Sequence, residues 1–166
     1  MKTLHFLLPA VSLPFRQAIF AEVMQTVQHV PITDADPIKE APMDKKKFVF
    51  IITQSYDRPD LVAGAFQLAT NMKAFDAEVD FFLMDNGALL GKKGFAETLT
   101  YQKKDEFSPL HQLMTTLIDD FDCKFYICAS CVKHYDLDKV ELIKNASIKP
   151  GSYLGEMLME RQGLTF

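Results

Sequence analysis

The sequence predicts an α/β fold: a mostly parallel sheet with helices on both faces. Two observations carry that prediction. Runs of apolar, β-branched and aromatic residues recur at 48–53, 78–84 and 124–127, the pattern of strands buried on both faces. Segments with apolar residues at helical spacing lie between them, and such alternation builds a parallel sheet. At 166 residues the chain is one domain with an appendage, long enough for a proper core. Its 48% hydrophobic and 24% charged residues are ordinary for a soluble globular protein.

The chain changes character near residue 44. Val11 to Val30 can form an amphipathic helix with Phe15, Ile19, Val23, Met24 and Val27 on one face, and 31–42 reads as a linker. Met43-Asp-Lys-Lys-Lys-Phe48 looks like a natural domain start. Residues 1–43 are therefore expected to be an N-terminal extension, partly helical, and 44–166 the α/β domain. A truncated chain starting at Met43 tests whether the extension is dispensable.

Residues 48–53 form the first expected strand, and Ser55-Tyr-Asp-Arg-Pro59 a polar turn with Pro59 in the first turn of the next helix. Leu61, Ala65, Leu68, Ala69 and Met72 recur at helical spacing to about Phe75. A second strand at 78–84 ends in Asp85-Asn-Gly87, a turn signal. Residues 88–106, with Gly91-Lys-Lys-Gly94, read as a connection rather than a nucleic-acid clamp. Ser108 is the expected N-cap of the next helix, with Pro109 at its first position and Leu110, Leu113, Met114, Leu117 and Ile118 on its apolar face. Strand 124–127 follows. Asp136 or Asp138 is expected to start a helix carrying Val140, Leu142 and Ile143. Ser147-Ile148 is a short extended piece, 152–161 a helix, and 163–166 a terminal strand.

A net charge of −4 and a pI near 5.5 exclude a basic nucleic-acid footprint. Lys45, Lys46 and Lys47 read as a solvated approach to a strand, not a phosphate or membrane site. No run of about 18 apolar residues exists to span a membrane. The apolar N-terminus carries Pro9, Pro14 and Arg16 and lacks a clear cleavage site, so it does not read as a signal peptide. Three cysteines, an odd number, make a poor extracellular disulfide framework, and a cytoplasmic location is expected.

Cys128-Ala-Ser-Cys131 carries the chemistry. It follows the apolar run Lys124-Phe-Tyr-Ile127, so two thiols sit where a strand ends and a helix begins. Backbone N–H groups there favour a thiolate, the form that attacks electrophilic sulfur. In a parallel sheet, ligands gather beyond the carboxyl ends of the strands. Three features converge there: the loop with Ser55 and Tyr56, the turn of Asp85, Asn86 and Gly87, and Cys128. Lys133 and His134 follow closely enough to stabilise a thiolate. The competing structural reading makes both thiols small core residues beside a strand. A dithiol oxidoreductase uses the same spacing, but after an early strand rather than a late one. Zinc has four candidate ligands in Cys123, Cys128, Cys131 and His134, but the strand separates Cys123 from the rest. Cys123 is expected to be structural, and no metal or cofactor is expected. Asp119, Asp120 and Asp122 read as a solvated helix end, and His111 as a surface residue.

The order of elements from about residue 46 to the C-terminus resembles the DsrE/DsrF-like family of small sulfur-relay proteins. The matching features are the opening strand with its polar loop, Asp85-Asn-Gly-Ala-Leu-Leu90, Tyr126-Ile-Cys-Ala-Ser-Cys131 and Gly163-Leu-Thr-Phe166. The resemblance implies a flavodoxin-like three-layer sandwich and a homo-oligomer, trimer or hexamer. It also implies a persulfide-bearing cysteine, matched in position by Cys128, with Cys131 matching a second cysteine of some members. One departure concerns the partner surface: Lys133-His-Tyr-Asp136 stands where many members carry Arg-Gly. The expected function is thus a small cytoplasmic sulfur carrier or sulfurtransferase. It holds persulfide sulfur on Cys128 and exchanges it with donor and acceptor proteins. The alternative is a non-catalytic oligomeric module that binds a small ligand or partner at the same strand ends.

Overall fold

The computed structural model describes residues 45–101 and 108–166. The extension expected over 1–43 lies outside the described residues. Five strands, β1 (Lys47–Ile52), β2 (Glu78–Leu83), β3 (Phe125–Cys128), β4 (Ala146–Lys149) and β5 (Gln162–Thr165), form one sheet in the order β4-β3-β2-β1-β5. Every strand pair is parallel. Four α-helices connect them: α1 (Pro59–Ala74), α2 (Leu110–Asp119), α3 (Ala129–His134) and α4 (Gly151–Glu160).

The strand order explains the layering. From β1 to β4 the chain steps in one direction, and right-handed crossovers then put α1, α2 and α3 on one face. The return from β4 to β5 runs the other way, so α4 covers the opposite face. The strand residues divide accordingly, because successive side chains point to opposite faces. One row across the sheet reads Leu164, Phe50, Phe81, Phe125 and Ala146, and it packs under α1 and α2. Phe81 stacks on Phe125 at 4.6 Å between ring centres, and Phe66 of α1 meets both rings edge-on. The next row reads Thr165, Ile51, Phe82, Tyr126 and Ser147. On that face the buried cluster contains, among the described residues, only Val49, Phe82, Cys128 and Met157.

Local chemistry accounts for the helix ends. Pro59 opens α1, with Asp60 in its first turn and Lys73 in its last, each charge complementing the helix dipole. The chain reverses after it through Asp76, in the left-handed region at φ 61°. The C-terminus is tied down beside β1: the Phe166 N–H donates to the Ile51 carbonyl and the Thr53 N–H to the Phe166 carbonyl.

Three local expectations are corrected. Pro109, not Ser108, is the N-cap of α2, so the helix begins one residue later. Residues 85–91 form a 3-10 helix rather than a simple turn followed by a loose connection. No helix carries Val140, Leu142 and Ile143. A 3-10 turn at Leu137–Lys139 is followed by irregular chain that pairs with the 91–93 segment. The Lys93 N–H donates to the Glu141 carbonyl and the Ile143 N–H to the Gly91 carbonyl, so long-range bonding displaces a short helical pattern.

Candidate functional site

The carboxyl ends of β1, β2 and β3 bring their following loops together. Behind β1, the Ser55 N–H donates to the Asp57 carboxylate at 2.9 Å. Behind β2, the Met84 N–H donates to the Ile52 carbonyl and the Gly87 N–H to the Thr53 carbonyl, fastening the 3-10 helix to the end of β1. That fastening requires glycine: a Cβ on Gly87 would lie 2.1 Å from the Ile52 carbonyl oxygen. Behind β3, Cys128 is the N-cap of α3 and Cys131 lies in that helix.

The two thiols have different surroundings. Cys128 points to the face covered by α4, is 8% exposed, and packs with Val49, Phe82 and Met157. Cys131 is half-buried and touches the core clusters of both faces. Its sulfur accepts a hydrogen bond from the Asp85 backbone N–H at 3.2 Å. Asp85 itself sits at φ 48°, a conformation that non-glycine residues adopt at a cost. Burial raises the Cys131 pKa, the Asp85 N–H opposes that rise, and the neighbouring Cys128 thiol adds to it. No basic side chain stands among its main influences.

A polar chain runs beside the sulfur. The Tyr135 hydroxyl donates to Asn86 Oδ1 at 2.7 Å. The Asn86 side chain also helps to lower the pKa of the Asp57 carboxyl. The Asp57 carboxyl is held below its ordinary pKa, first by the Ser55 N–H. Ser55 is completely buried, and its hydroxyl has no hydrogen-bond partner among the described residues. Tyr56 beside it is exposed.

The structure therefore brings together Ser55, Asp85, Asn86, Gly87, Cys128 and Cys131. It puts Lys133 and His134 at the exposed last turn of α3, where the His134 ring meets the Tyr135 ring edge-on at 4.7 Å. Two members of the site were missing from the sequence-based set, Asp57 and Tyr135. Tyr135 follows Cys131 by one helical turn, a spacing that places both on one side of a helix. Asp57 carried the weaker signal of an Asp in a polar turn.

Cys123 lies beyond the other end of β3, buried in the core under α1 and α2. The four candidate zinc ligands are thus not gathered. Among the described residues no group of three or more His, Cys, Asp or Glu is placed to hold a metal ion, and no helix is long and apolar enough to cross a membrane. A cavity of about 350 Å³ between Lys93, Thr115, Glu141 and Lys144 includes none of the site residues.

No curated protein matches this chain. Among solved structures, the crystal structure of the YchN protein from E. coli is similar in fold. It aligns with a TM-score of 0.60 and 17% identity, over 74% of this chain and 100% of that one. The family model described as the DsrE/DsrF-like family matches residues 46–164, which takes in β1 to β4, all but the last residue of β5, and the Cys128–Cys131 pair. A parallel α/β sheet with a cysteine pair closing β3, matched over most of its length by that family model, makes this chain a member of the DsrE/DsrF-like family.

Proposed function

We propose that this chain is a small sulfur carrier of a reducing, cytoplasmic compartment, holding one sulfane sulfur as a persulfide in the Cys128–Cys131 pair. The observation that carries the reading is the hydrogen bond from the Asp85 N–H to the Cys131 sulfur, made beside a second thiol at the carboxyl end of β3. That backbone donor offsets part of the burial that raises the Cys131 pKa, and so supports the anionic form that both accepts and releases sulfane sulfur. Loading is a thiol exchange. A carrier thiolate attacks the outer sulfur of a donor persulfide, the S–S bond breaks, and the donor leaves as a thiolate. Delivery repeats the step, with an acceptor protein's thiolate attacking the outer sulfur of the carrier persulfide. Neither step consumes an oxidant or reductant. Donor and acceptor proteins and a homo-oligomeric assembly belong to this reading.

The burial of Cys128 favours a second reading, a binding module in which the thiols are structural. Intact-mass measurement decides between them. The reduced full-length chain is incubated with glutathione persulfide, beside the double variant Cys128→Ser/Cys131→Ser. A carrier gains one sulfur atom and the double variant gains none. A wild-type chain that gains nothing, with thiols that resist alkylation until denaturation, is a binding module.

A further inference from the structure

We propose that Cys131, not Cys128, is the thiol that receives and carries the sulfur. The inference rests on the sulfur-carrier reading and reverses the assignment that sequence position implies. Three features of the two thiols support it.

The first is access. An attacking thiolate must reach the outer sulfur of a donor held by another molecule. Cys128 is 8% exposed and faces an apolar cluster of Val49, Phe82 and Met157. Cys131 is half-buried, and the residue that donates to it, Asp85, is exposed.

The second is room for the product. A persulfide places its outer sulfur about 2 Å beyond Sγ. On Cys128 that atom and its negative charge enter a packed apolar cluster, which opposes both the added volume and the uncompensated charge. On Cys131 the added sulfur begins beside an exposed loop.

The third is a fixed donor. The Asp85 N–H points at the Cys131 sulfur from a left-handed backbone conformation, φ 48°. Backbone in that region persists only where its surroundings hold it. Here they do: the Gly87 and Met84 N–H groups fasten the segment to the end of β1, and the Tyr135–Asn86 hydrogen bond ties it to α3. The amide is thus positioned before any sulfur arrives, and an amide so oriented stabilises developing charge on sulfur without reorganising.

The chemistry balances as a single displacement. The Cys131 thiolate bonds to the outer sulfur of a donor persulfide, the donor S–S bond breaks, and its electron pair leaves with the donor thiolate. The product is a Cys131 persulfide, with Cys128 remaining a thiol throughout.

The test is time-resolved site mapping on the full-length chain. The reduced protein is mixed with glutathione persulfide, quenched with an alkylating reagent at intervals, and digested for peptide mass analysis. The wild-type chain should carry its first sulfur on Cys131. Cys131→Ser should slow loading by at least about tenfold, while Cys128→Ser should load at close to the wild-type rate. Native alkylation of the wild-type chain is a second readout that needs no variant: Cys131 should react before Cys128. First loading on Cys128, with Cys131→Ser unaffected, overturns this assignment and leaves the carrier reading standing. No loading at any thiol of the wild-type chain overturns both.

Discussion

The two faces of the sheet are built differently. One is sealed by α1, α2 and α3 over a continuous row of phenylalanines; among the described residues the other is covered by α4 alone, with Met157 as that helix's one buried residue. Met159 and Leu158 of α4 stay exposed, at 87% and 44%. The strand order imposes the difference, since three crossovers share one face and a single return takes the other. The cysteines follow the division. Cys123 is locked in the sealed face, Cys128 faces the thinly covered one, and Cys131 sits where the two clusters meet. Stability is concentrated where chemistry is absent, and the candidate site occupies the margin between the faces.

The comparison breaks most directly at the aromatic row. Phe81→Ala removes a ring stacked on Phe125 and touched by Phe50 and Phe66. It should cost about 3–5 kcal/mol of unfolding free energy, whereas Met157→Ala on the thin face should cost about 2 kcal/mol. Urea denaturation of both variants measures the contrast, and equal losses would refute the division of labour between faces.

The next effect is a pH dependence contributed by the sealed face. Burial pushes the Cys123 thiol up to about 11, from an ordinary value of 9.0. The folded state holds that proton more tightly, so above pH 9 unfolding releases it. This contribution is intact below about pH 9 and is lost as pH rises through about 11, roughly 3 kcal/mol in all. Denaturation midpoints from pH 8 to pH 11 should therefore fall more steeply for the wild-type chain than for Cys123→Ala. Identical slopes would mean that the Cys123 thiol does not titrate with unfolding.

The smallest effect sharpens the thin face. Gly155 lies exposed in α4 with no atom within 4 Å of where a Cβ would stand. Gly155→Ala should raise stability by about 0.5–1 kcal/mol through helix propensity alone, read as a rise in the thermal midpoint. A loss would show that something packs against that helix.

Much of the fold was legible because its signals are local. Residues 48–53, 78–84 and 124–127 are apolar runs that can only be buried strands, and β1, β2 and β3 lie on them. The fourth strand was legible only as Ser147-Ile148, since Ala146 to Lys149 lacks such a run. The helix expected after Asp136 failed because three apolar residues at helical spacing do not outweigh main-chain bonds to a segment some 50 residues earlier. At the site, the thiol pair and the loops of Ser55 and Asp85 were visible as strand-end features. The bond that joins Asn86 to Tyr135 was not, because no periodicity links residues so far apart in the chain.

The sequence by itself determined that this chain alternates strands and helices and that its thiol pair closes a buried strand, and its order of elements and motifs resembles the DsrE/DsrF-like family. The first two depend on composition and spacing within a few residues. Only the tertiary structure decided which thiol is buried, which backbone amide meets which sulfur, and which sheet face is left thinly covered. Those depend on strand order and on the faces to which neighbouring side chains point, and both are set by contacts between distant segments.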